Sequence, residues 1–128
     1  MKNLLWFFLV SISLLFSCAK KDSDPNRVDF TIDLNDVQYS DLSNLGGKAY
    51  YNQVIIVRDA TGNYDAVAKD CSYHLCQLDF DVAMSNFTCP CLTCHFDLNG
   101  AVTMGPATIS LTKFLTQKNG NYLRVYSN

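Results

Sequence analysis

Long apolar runs are scarce in this chain. The longest, from Leu4 to Phe16, holds about 13 residues, short of the roughly 20 that a bilayer-crossing helix needs. Beyond that run there is no helical periodicity, no internal repeat and no low-complexity tract, which argues against a helix bundle or a solenoid. Lysine and arginine total 10 against 12 acidic residues, for a formal net charge of −2. No basic stripe stands out, so the electrostatic footprint of a nucleic-acid binder is missing. Gly46-Gly47 is followed by Lys48 without the spacing of a phosphate-binding loop. Histidine is down to two residues, His74 and His95. What the chain does have is β patterning and a dense group of cysteines.

The N-terminus reads as a targeting segment. Lys2, the apolar run and the closing Ser17-Cys18 follow the charged, apolar and small-residue order of a secretory signal peptide. The stretch LFSC resembles a bacterial lipoprotein signal, which predicts a signal peptide over 1–17 and makes Cys18 a lipidated N-terminus. Acyl chains of that kind hold a protein on a membrane rather than through it. Residues 18–27, polar and charged with Pro25, read as a flexible tether. The expected product is an exported membrane lipoprotein facing the periplasm or the cell surface. Residues 28–128 are enough for one domain with one modest core.

That domain reads as all-β. Val28 to Leu34 alternates apolar and polar residues with period two, as a half-buried strand does. Val54-Ile55-Ile56-Val57 is continuous and β-branched, the pattern of a strand buried on both faces. Ala60 to Asn63 reads as a hairpin turn, with Tyr64 to Ala68 as its return strand. Asn86-Phe87-Thr88, His95 to Leu98, Ile109 to Thr116 and Tyr122 to Tyr126 follow, the last two around Asn119-Gly120-Asn121. Many short strands at close spacing predict a small antiparallel sandwich or barrel.

Setting Cys18 aside leaves Cys71, Cys76, Cys89, Cys91 and Cys94. Exported proteins live where disulfides persist, yet an odd count leaves at least one thiol unpaired, metal-bound or joined elsewhere. The cysteines fall in two clusters, CSYHLC from Cys71 and CPCLTC from Cys89. Spacing alone admits a structural zinc site, with Cys91, Cys94, Cys71 and His74 as a Cys₃His set.

The two clusters resemble the loops of the Rieske iron–sulfur domain, Cys-x-His-x-Gly-Cys and Cys-Pro-Cys-His-Gly-Ser. The likeness runs through Cys89-Pro90-Cys91, Phe96-Asp97 and Asn99-Gly100 to Gly105-Pro106-Ala107. It implies a Rieske-like fold with a two-loop cluster-binding subdomain, a [2Fe–2S] cofactor and transfer of electrons to a redox partner. By position it implies Cys71 and Cys89 as thiolate ligands and a disulfide between Cys76 and Cys91. Such a bridge is worth on the order of 3 kcal/mol in the chain-entropy model.

The departures bear on function. Tyr73 and Leu92 stand at the two ligand-histidine positions, Leu75 and Thr93 at glycine positions, and Cys94 where the family has serine. Leucine has no lone pair for a metal, and a tyrosine ligates only as phenolate, from a pKa near 10. One alternative is a cluster held by Cys71, Cys89 and Cys94 with His74 or His95. Another is a cofactor-free, disulfide-braced module for binding a protein partner, with Cys71 and Cys89 closing a second disulfide. No catalytic constellation accompanies them. Cys94 and His95 are adjacent and point apart on a strand. Asp79 and Asp81 share one face of a short segment and are expected to be solvated carboxylates.

Overall fold

The computed structural model describes residues 24–128. The signal peptide, the lipidation site Cys18 and the start of the tether lie outside the described residues. Ten strands follow in order: β1 (Asp29–Asp33), β2 (Lys48–Tyr51), β3 (Val54–Arg58), β4 (Tyr64–Ala68), β5 (Asp79–Asp81), β6 (Asn86–Thr88), β7 (His95–Asp97), β8 (Val102–Met104), β9 (Lys113–Asn119) and β10 (Tyr122–Tyr126). The fold is all-β, with every pair antiparallel.

Six strands form a curled sheet in the order β1-β10-β9-β4-β3-β2, and four form a second sheet in the order β5-β6-β7-β8. Strand β9 joins the two halves of the larger sheet. Its first residues, Lys113 and Phe114, pair with Val67 and Ala66, whereas Leu115 to Asn119 pair with β10.

Strand β3 is buried on both faces, as its unbroken β-branched run predicts. Val54 and Ile56 face a core with Ile32, Leu42, Phe114, Leu123 and Val125. Ile55 and Val57 face a second core with Val67, Leu78, Phe87, Phe96 and three cysteines. Alternate side chains of one strand therefore feed two cores. The second core is the layer between the large sheet and the small one.

The turn between β3 and β4 is held by Asp59, which is buried. Its carboxylate accepts from the N–H of Thr61, the hydroxyl of Thr61 and the N–H of Asn63. Between β1 and β2 lies a 3-10 helix, Val37–Ser43, capped by the Asp36 side chain on the Gln38 N–H. Sequence periodicity missed it because a helix of two turns leaves too short a pattern. The expected strand over Ile109 to Thr116 is also corrected, since pairing begins only at Lys113 and Ile109 is exposed.

Candidate functional site

Both cysteine clusters form tight, hairpin-like loops. In the first, the Cys71 N–H donates to the Cys76 carbonyl at 2.8 Å and the Leu75 N–H returns to the Cys71 carbonyl at 3.0 Å. In the second, the Cys89 N–H donates to the Cys94 carbonyl at 3.0 Å. Each loop is thus closed across a Cys-x₄-Cys span. Asp70 and Gln77 form a bridge beneath the first loop, and β6 and β7 form the base of the second. Cys76 and Cys91 are joined by a disulfide, with Cα atoms 6.3 Å apart. It binds one loop to the other.

Cys71, Cys89 and Cys94 are free and buried. The Cys71 sulfur receives the backbone N–H groups of Tyr73 and His74 and is in hydrogen-bond contact with the thiols of Cys89 and Cys94. Burial alone would raise the Cys71 pKa, but these donors outweigh it and hold the thiol below its ordinary value. Burial pushes the Cys94 thiol up, against a hydrogen bond from the Ala107 N–H. The expected second disulfide between Cys71 and Cys89 is not formed here, where both stand as thiols.

A third loop completes the pocket. Gly105, at φ +95°, packs so closely that an added Cβ would lie 2.3 Å from the Thr93 carbonyl oxygen. Ala107 follows it into the core beside the thiols. The Ser72 hydroxyl donates to the Ile109 carbonyl, tying the first loop to this third one. The Gly-Pro-Ala motif marked the segment in the sequence, but nothing local showed that it walls the cysteine site. Nor did the sequence show that the Tyr50 hydroxyl ties β2 to the Leu78 carbonyl, at 2.7 Å, below the first loop.

The imidazole rings of both histidines have partners other than the thiols. His74 is exposed and stacks against Tyr73, with ring centroids 6.1 Å apart. His95 sits in β7 opposite Thr88, where its Nδ1 is 3.2 Å from the Asn86 amide nitrogen. Tyr73 is exposed and Leu92 packs against the apolar core. Among the described residues, no three His, Cys or Asp side chains are grouped to hold a metal ion. The zinc set fails for a chemical reason as well, because Cys91 is spent in the disulfide. Asp79 is paired with Lys48, and Asp81 accepts from the N–H groups of Ala83 and Met84. Both contacts are at the surface, as expected of solvated carboxylates.

The Rieske [2Fe-2S] domain family matches residues 26–115. The chain belongs to the Rieske family. Among solved structures, this Rieske domain is 31% identical to the plasma membrane Rieske protein PetC3 of the cyanobacterium Synechocystis, with a TM-score of 0.58 over 70% of this chain and 95% of that one. The ferredoxin of carbazole 1,9a-dioxygenase from Nocardioides aromaticivorans shares the fold at 21% identity, with a TM-score of 0.59 over 64% of this chain and 86% of that one. So does the quaternary ammonium Rieske monooxygenase CntA, at 15% identity and a TM-score of 0.52, over 67% of this chain and 28% of that one. No curated protein matches the chain.

Within this Rieske domain the residues present do not fit the family's set of two thiolates and two imidazoles. Cys71 and Cys89, the thiolate positions that the resemblance implies, are in hydrogen-bond contact. At the implied imidazole positions stand Tyr73, which is exposed, and Leu92, which packs against the core. Among the described residues no helix is long and apolar enough to cross a membrane.

Proposed function

We propose that the chain is an exported, lipid-anchored Rieske domain, derived from the electron-transfer class, that no longer holds a two-imidazole [2Fe–2S] cluster. Its braced loop tip serves to bind a protein partner, and it carries out no substrate chemistry at an iron centre. Leu92 carries this reading. It stands at a ligand position, has no donor atom, and packs against the apolar core. The brace between Cys76 and Cys91 supports the partner-binding part, since it presents both loops as one preformed surface. Loop residues Tyr73 and Leu75 are 56% and 80% exposed, and Met104 at the end of β8 and Ile109 on the third loop are 59% and 66% exposed. These exposed apolar side chains are what a partner docking on the loops would meet. The signal-peptide pattern and Cys18 support export and anchoring.

A second reading has one observation in its favour, the contact of Cys71 with both Cys89 and Cys94. Three sulfurs in one pocket suit a sulfur-rich cluster with His74 or His95 as the fourth ligand, at a potential below that of a two-histidine site. Production in a host competent in iron–sulfur assembly, with iron, sulfide and visible absorption measured, separates the two. We expect colourless, iron-free protein. Two irons per chain with cluster absorption overturn the first reading in favour of the second.

A further inference from the structure

The Cys71 sulfur is the meeting point of the thiol group, with two backbone N–H groups and two thiols directed at it. All three cysteines lie in the core shared by the two sheets. The loops that carry them are already held together by the disulfide between Cys76 and Cys91. A new bond between these loops therefore has no loop-closure entropy left to overcome. Sulfurs in hydrogen-bond contact need only a side-chain rotation to reach bonding distance. Three thiols hold one disulfide between them, so one thiol always remains.

We propose that Cys71 and Cys89 act as a dithiol–disulfide couple that exchanges two electrons with a protein disulfide or a low-molecular-weight disulfide, while Cys94 stays a thiol. The inference rests on the reading above, in that the thiols are not engaged by a cluster. Exposure sets the order of events. All three are buried, but Cys89 is 6% exposed whereas Cys71 and Cys94 are 0% exposed, so the least opening of the loops brings an incoming disulfide to Cys89. The Cys89 thiolate attacks one sulfur of that disulfide and forms a mixed disulfide, and the first thiolate leaves. The Cys71 thiolate then attacks the Cys89 sulfur and expels the second. Cys71 and Cys89 lose two protons and two electrons, and the partner's two thiols gain them. Run backwards, the same steps let a partner dithiol reduce the pair. Cys94 is held away from exchange by its complete burial.

The test uses the mature protein, assayed for iron and then equilibrated in mixtures of reduced and oxidised glutathione. Acid quenching, alkylation and peptide mapping follow. We expect a Cys71–Cys89 linkage whose ratio to the dithiol form rises tenfold for each tenfold fall in [GSH]²/[GSSG], with Cys94 alkylated throughout. Cys94→Ser should keep the linkage, and Cys89→Ser should lose it. Iron-free, folded protein in which Cys71 and Cys89 stay alkylatable at every ratio overturns the couple, as does a dominant Cys71–Cys94 linkage. Iron bound at the site before oxidation overturns the functional reading beneath it, and the couple with it.

Discussion

At the scale of single residues, the Rieske fold carries side chains that depart from the loop motifs of the family it resembles. Leu75 shows the distinction. It stands where the family has glycine, and its φ is +53°, a left-handed conformation that L residues with a Cβ adopt at a cost. That conformation is one a glycine would adopt freely. The side chain is 80% exposed, so little packing compensates. Leu75→Gly should therefore relieve about 1–2 kcal/mol of strain, offset in part by the freer unfolded chain. Denaturant melts under oxidising conditions would show it as a raised midpoint with an unchanged slope, and an unchanged or lowered midpoint would refute the strain. The family likeness made position 75 legible in the sequence. The strain was not, because the amino-acid sequence does not print a dihedral angle. Contact among Cys71, Cys89 and Cys94 was hidden for a similar reason. It arises from two loops folded over a third, not from spacing within either.

At the scale of elements, legibility followed burial. Strands β3 and β10 were readable because burial leaves a pattern in the residues, an unbroken apolar run where β3 is covered on both faces and alternation where β10 is covered on one. The segment before β9 was misread, and the physical reason is specific. Ile109-Ser110-Leu111-Thr112 alternates like a strand, and Leu111 is buried. Yet the Leu111 N–H goes to the Gly100 carbonyl and the Ile109 carbonyl goes to the Ser72 hydroxyl. Those backbone groups are claimed by loops before a strand edge can use them. The third loop is consequently a wall of the thiol pocket, seated on Thr93 and Cys94 through Gly105. Gly105→Ala would set a Cβ against backbone at a positive φ, where nothing flexible can yield. We expect a loss of about 2 kcal/mol or more, together with faster reaction of Cys94 with a thiol reagent in the folded protein. A variant with wild-type stability and a protected Cys94 would show that the close approach is not structural.

At the scale of the molecule, the two cores share a strand rather than merely touching. Ile55 belongs to the core that holds the thiols and Ile56 to the core under the 3-10 helix, and both are 0% exposed. No flexible linker separates the cores, because adjacent residues of β3 supply each. Damage to one core must therefore pull on the backbone that supports the other, which is the condition for a single cooperative transition. Ile55→Ala and Ile56→Ala should each cost about 2–5 kcal/mol. Loss of far-ultraviolet circular dichroism and exposure of the buried thiols should coincide along the denaturant axis in both variants. The informative case is Ile56→Ala, whose cavity lies on the face of the strand away from the cysteines. If its thiols stayed protected after the large sheet had melted, the braced loops would be an independent folding unit. Coincident curves would mean that the cysteine site is held by the whole domain, and that the disulfide between Cys76 and Cys91 aligns the loops without sustaining them alone.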